Sequence, residues 1–143
     1  MFLICLSACE GQSGYLDSDQ EETLSLLTEK EWLIVYARYW TGDEHTYDDE
    51  TSVYFLDLKQ NGWVALGSLK DASVKENVTY FQWRFTTDNF TVIQTAGNGM
   101  DGYWLIEKLT PTELWAQWSA KDPVMYPNQI TTFYKFKSRD IAV

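Results

Sequence analysis

Eight short β-type runs, joined by connectors that alternate long and short, constrain this chain more than any other feature of its sequence. The predicted strands are Glu31–Trp40, Thr51–Leu58, Trp63–Leu69, Val78–Thr86, Phe90–Thr95, Gly102–Leu109, Leu114–Ser119 and Gln129–Lys137. Each is rich in aromatic and branched residues and is bounded by turn formers. No helical stretch of ten residues separates any two of them. A parallel sheet needs such crossovers, so the sheet is expected to be antiparallel. Three connectors are short: Lys59-Gln60-Asn61-Gly62, Thr87-Asp88-Asn89 and Thr110-Pro111-Thr112-Glu113. Asn61-Gly62 is a strong tight-turn signal. The four intervening connectors, 41–50, 70–77, 96–101 and 120–128, are longer. In an up-and-down meander, alternate connectors fall at opposite ends. All short turns then share one end and all long loops the other. The expectation is an all-β, eight-stranded antiparallel up-and-down barrel with one tight end and a loop-ringed mouth. A β-sandwich is the architectural alternative, but it more often carries Greek-key crossings and lacks this parity.

The rest of the chain is arranged around that barrel. With 143 residues, of which 45% are hydrophobic and 16% aromatic, it holds a core without metals or crosslinks and is too aromatic to be disordered. No apolar run reaches the roughly 20 residues of a membrane-spanning helix. Eleven Lys and Arg against 21 Asp and Glu give a net charge of −10, a field that repels phosphates and argues against a nucleic-acid role. The only cysteines, Cys5 and Cys9, lie in the apolar opening. A disulfide between them would close a tiny loop and stabilise little. Leu6-Ser7-Ala8-Cys9 instead has the pattern of a bacterial lipobox, with an apolar residue, two small ones and a cysteine to be acylated. Residues 1–8 therefore read as a shortened lipoprotein signal peptide, 9–23 as an acidic tether and 24–143 as the barrel domain, opening with a helical turn over 23–30. A lipidated Cys9 would hold the protein on the bacterial outer membrane, facing the periplasm or the cell exterior, because acyl chains contribute about 0.8 kcal/mol per buried methylene.

Four segments in this order and spacing carry a resemblance: Leu26-Leu27-Thr28-Glu29-Lys30-Glu31-Trp32, Asp57-Leu58-Lys59-Gln60-Asn61-Gly62, Ile106-Glu107-Lys108-Leu109-Thr110-Pro111-Thr112-Glu113-Leu114, and Phe133-Tyr134-Lys135-Phe136-Lys137. Over residues 24–137 the chain resembles the lipocalin-like lipoproteins of Bacteroides-type bacteria, within the wider calycin group. The resemblance implies that Trp32 plugs the closed end, with Lys30 standing where lipocalins carry glycine. It also implies that Lys137, or Lys135, lies over that tryptophan. A barrel of this kind would take a small apolar or amphipathic ligand.

Strand alternation sorts the side chains into two faces. If Trp32 points inward, then Ile34, Tyr36, Arg38 and Trp40 do so as well. The other expected inward sets are Tyr54, Leu56 and Leu58; Phe81, Trp83 and Phe85; Trp104 and Ile106; Leu114, Ala116 and Trp118; and Thr132, Tyr134 and Phe136. The candidate ligand-binding residues are Tyr36, Arg38, Trp40, Tyr54, Leu56, Trp83, Phe85, Trp104, Trp118 and Tyr134. Such rings either line a cavity for an apolar ligand or fill the lumen completely. A lumenal Arg38 would need a carboxylate, from Glu107 or from a ligand anion. A filled barrel would act instead as a surface module that binds an envelope protein or a glycan through its mouth loops.

Little in the sequence points to catalysis, a cofactor or a metal. His45 is the only histidine, which argues against a Ser–His–Asp arrangement. It sits among the carboxylates of Asp43, Glu44, Asp48, Asp49 and Glu50, without the glycine spacing of an EF-hand. That stretch reads as a solvated loop at the mouth. The sequons Asn77-Val78-Thr79 and Asn89-Phe90-Thr91 carry no meaning in a bacterial lipoprotein.

Overall fold

The computed structural model describes residues 16–47, 54–70 and 74–141. Cys9, the lipobox and residues 9–15 of the expected tether lie outside the described residues.

The first element is a helix, α1 (Ser18–Thr28), which starts earlier than the helical turn expected over 23–30. A reciprocal cap sets its start. The Asp17 carboxylate accepts the Gln20 backbone N–H at 2.8 Å, and the Gln20 side-chain oxygen accepts the Asp17 N–H at 3.0 Å. Two orphan amides of the first turn are satisfied in this way. Spacing by three residues then turns Leu24 and Leu27 into the core.

Nine strands follow among the described residues: β1 (Glu31–Arg38), β2 (Glu44–Thr46), β3 (Tyr54–Leu58), β4 (Trp63–Lys70), β5 (Val74–Phe85), β6 (Val92–Ala96), β7 (Gly102–Leu109), β8 (Glu113–Ser119) and β9 (Thr132–Arg139). All pairs are antiparallel; β1 pairs with β2 and β3, each strand from β3 to β9 pairs with the next, and β1 also pairs with β9. That last pairing closes eight strands into a barrel, as expected. The addition is β2, inside the stretch expected to be loop. It pairs with the mouth half of β1 through Tyr36 and Thr46, while β3 pairs with the other half through Trp32 and Leu56.

The short turns share one end of the barrel, and α1 lies across it. The Gln20 amide donates to the Asp88 carbonyl at 2.7 Å, and Gln60 donates to the Thr28 hydroxyl at 3.3 Å, so the helix is held at two of these turns. Trp32 is fully buried beneath it, and its indole N–H donates to the Leu27 carbonyl at 3.0 Å. Phe85 stacks on Phe90 at 3.9 Å, with Trp83 edge-on to Phe85 at 5.2 Å. Lys137 does not lie over Trp32. The register places it opposite Leu33 on the outer face, and Ser138 is the residue opposite Trp32. The closed end is sealed by a helix and aromatic rings, and among the described residues no lysine lies over the tryptophan.

A second, smaller core forms on the outside of the barrel. Leu33, Phe55 and Leu69 are buried there with Ala65 and Val78 against them. The β4–β5 hairpin bends over this face because two β5 residues oppose one of β4 near Gly67, with Asn77 at φ 53°. Only glycine fits at position 67. A β-carbon there would meet the Glu76 carbonyl oxygen and the Phe55 ring, each at 2.9 Å. The hairpin is also held by charge. Glu31 is buried and ion-paired with Lys75 at 2.9 Å and with Arg139, whose Nε donates to it at 2.9 Å.

Candidate functional site

Inside the barrel the two ends differ. Toward the helix, the space enclosed by residues such as Leu27, Leu58, Leu114 and Ile106 is about 20 Å³, room for at most one water. Toward the long loops the lumen opens into a cavity of about 280 Å³. The barrel is thus filled below and open above.

Four of the ten ligand-binding candidates meet at this cavity: Leu56, Trp104, Trp118 and Tyr134. Trp104 and Tyr134 lie ring to ring at 5.4 Å. Trp118 packs against Gly102, where a β-carbon would fall 2.3 Å from the indole nitrogen. Trp83 and Phe85 point inward but belong to the closed-end core, away from the cavity. Tyr54 sits at the mouth end of β3, partly exposed, with its ring edge-on to Tyr47 at 6.4 Å.

Tyr36, Arg38 and Trp40 are not in the lumen. Between Ile34 and Tyr36 the β1–β9 register shifts by one residue, so the inward row passes from Ile34 to Ala37. A one-residue slip turns every later side chain to the other face. Ala37, opposite Tyr134, now faces in, and Arg38 stacks over the outer-face Phe133 ring at 5.0 Å. Tyr36 donates to the Glu44 carboxylate, and Lys135 covers its ring at 5.1 Å. Lys135 also lies over Trp115 at 4.3 Å, so its cation serves the outer wall and not the closed end. Trp40 is 66% exposed at the rim.

The same slip brings in residues that alternation from Trp32 did not assign. Tyr39 meets His45 edge-on at 5.8 Å, and His45 stacks on Tyr47 at 6.3 Å. With Tyr54 and Tyr134 they form an aromatic rim at the mouth. The signal in the sequence was the odd-numbered row Ala37–Tyr39, legible only once the bulge is known. Leu66, Thr95 and Met100 also line the cavity. Thr95 spends its hydroxyl on the Met100 carbonyl at 2.6 Å, which ties β6 to the β6–β7 turn. From that turn the exposed Asp101 joins the cavity lining, with one carboxylate oxygen accepting the Gly97 N–H at 2.8 Å.

Burial pushes the Tyr134 hydroxyl pKa up, and the nearby Tyr39 and Tyr47 add to the rise. Tyr47 is raised by its own burial and by Tyr39 and Tyr54. The hydrogen bond to Glu44 raises Tyr36. These folded-state values stand above the unfolded one near 10. The stabilisation from neutral hydroxyls is therefore fully present below about pH 10 and lost as pH rises through the folded values. Denaturation midpoints are expected to hold level to about pH 9 and then fall. Tyr134→Phe should lessen that alkaline loss, and an unchanged alkaline slope would contradict the placement of its hydroxyl.

Among the described residues, no group of three or more His, Cys, Asp or Glu side chains could hold a metal ion. No known family and no curated protein matches the chain. The geometry itself establishes an eight-stranded antiparallel closed barrel compatible with a lipocalin-like fold, carrying one N-terminal helix and one extra strand.

Proposed function

We propose that this protein is a non-enzymatic binding protein that takes a small apolar or amphipathic ligand through the mouth of its barrel. One observation carries the reading: the upper lumen leaves about 280 Å³ of space walled mainly by apolar and aromatic side chains, in a barrel whose lower half is packed solid. Preformed apolar concavities with a few polar groups are what ligand sites look like. We place the chain with the lipocalin-like lipoproteins on the four sequence segments above, and we propose that a lipidated Cys9 holds it on the envelope side of the outer membrane.

The test uses the tryptophans already in the wall. Titration with neutral one- to three-ring compounds and with fatty acids should change Trp104 and Trp118 emission saturably for the members that fit. Thr132→Trp, which places a bulky ring in the cavity wall, should abolish the change. A flat titration across the whole series overturns the reading. It would favour the second one, a surface module that docks an envelope protein or a glycan. The observation behind that alternative is an outer groove of about 370 Å³ beside the mouth, where Arg38, the exposed Trp40 and Ile130 lie together.

A further inference from the structure

The displacement of Arg38 to the outer face removes the one cation that alternation had placed in the lumen. No Lys, Arg or His among the described residues lines the 280 Å³ cavity. Among the described residues Asp101, an exposed residue, is the one charged member of its lining. Its second carboxylate oxygen makes no hydrogen bond to the described residues, since only one accepts the Gly97 N–H. An anionic ligand would meet this carboxylate without any compensating positive partner. It would also approach a chain of net charge −10.

The rest of the wall favours the opposite charge. Trp104, Trp118 and Tyr134 line the cavity, and Tyr39, Tyr47 and Tyr54 lie at the rim. Electron-rich ring faces attract cations, Trp most strongly. The Tyr134 hydroxyl, its pKa raised by burial, is neutral near physiological pH and adds no charge to the cavity wall. The size of the cavity limits the apolar body. A cavity of about 150 Å³ holds one benzene ring, so about 280 Å³ holds a body of about two rings.

We propose that the lumen receives a protonated amine carried on an aromatic or alicyclic body of about two rings, with the rings among Trp104, Trp118 and Tyr134 and the ammonium at the mouth beside Asp101. The inference rests on the lumen being a ligand site and goes beyond it by fixing ligand charge and size.

Three probes that share one ring system separate the two claims: 1-naphthylmethylamine, 1-naphthalenemethanol and 1-naphthylacetate, titrated calorimetrically into the full chain near neutral pH. The amine should bind about fivefold tighter than the alcohol, the size of a partly exposed ion pair, and the acid should bind weakest. Added salt should shrink the amine's advantage and leave the alcohol unchanged. Asp101→Asn should narrow the amine's advantage over the alcohol to what the rings alone contribute, without altering the alcohol. An acid that binds as tightly as the amine, or an alcohol that equals it, overturns the charge assignment while the cavity reading stands. Absence of binding by all three overturns both.

Discussion

Trp32→Ala is expected to lower stability by about 3–5 kcal/mol, the cost of emptying a fully buried tryptophan site. For a domain of this size that corresponds to a fall of roughly 10–20 °C in Tm. Three contacts make the site unable to collapse. Trp32 is 0% exposed, its indole N–H holds the Leu27 carbonyl, and its backbone stands opposite Leu56 on one side and Ser138 on the other. The cavity would thus loosen helix, core and barrel seam together. Trp40→Ala, at a residue 66% exposed on the rim, should cost less than about 1 kcal/mol. Urea denaturation of both variants decides the matter, with Trp32→Phe as an intermediate that folds if the alanine variant does not. Equal midpoints would show that the closed end is not where the stability resides.

Glu31→Gln should cost about 3 kcal/mol, at the lower end for breaking a buried ion pair. The carboxylate is 0% exposed, whereas its partners Lys75 and Arg139 keep about a third of their side chains in water. The loss is therefore partly relieved by hydration of the cations left behind. The pair also acts at long range. Lys75 crosses the Phe55 ring at 4.7 Å to reach Glu31, so the ion pair fastens the β4–β5 hairpin to the start of β1 and covers the outer core. Hydrogen exchange should accordingly rise in residues 74–80 more than in β7 or β8. A midpoint within about 0.5 kcal/mol of the parent, the range of an ordinary surface substitution, would mean that the apolar contacts of Phe55 and Leu69 hold the hairpin alone. Replacing Glu31, Lys75 and Arg139 together by apolar residues should recover most of the loss, since a buried triad is seldom worth more than a well-packed apolar one.

The barrel was legible in the linear sequence because its determinants are local. Turn formers such as Asn61-Gly62 and Pro111, period-2 alternation and the lengths of the connectors act over a few residues, and their parity alone separates a closed end from a mouth. Inward rows on strands without a bulge near the lumen followed directly, as Leu56, Trp104, Trp118 and Tyr134 show. The helix start at Ser18 was also local, in the Asp17 and Gln20 pair, although the acidic run around it reads as solvated tether.

Tertiary structure decided what alternation could not carry. A bulge is one extra residue accommodated against a partner strand, and nothing at Val35 itself marks it. Its effect is to move Tyr36, Arg38 and Trp40 outside and to bring Ala37 in opposite Tyr134. Whether a lumen full of aromatic residues is solid or hollow is likewise a matter of packing. Leu27, Leu58, Ile106 and Leu114 leave only about 20 Å³ at the helix-capped end, while small residues at the mouth, Gly99 and Thr132 among them, leave about 280 Å³. Glu31 shows the same limit for charge. In sequence it is one acid among 21, and it becomes a buried fastening only because the closing strand brings Arg139 beside it and the bent hairpin brings Lys75 over it. Short-range chemistry therefore specified the strands and their order. The side of the wall on which each charge lies, and hence what the lumen can accept, depends on pairings between residues far apart in the chain.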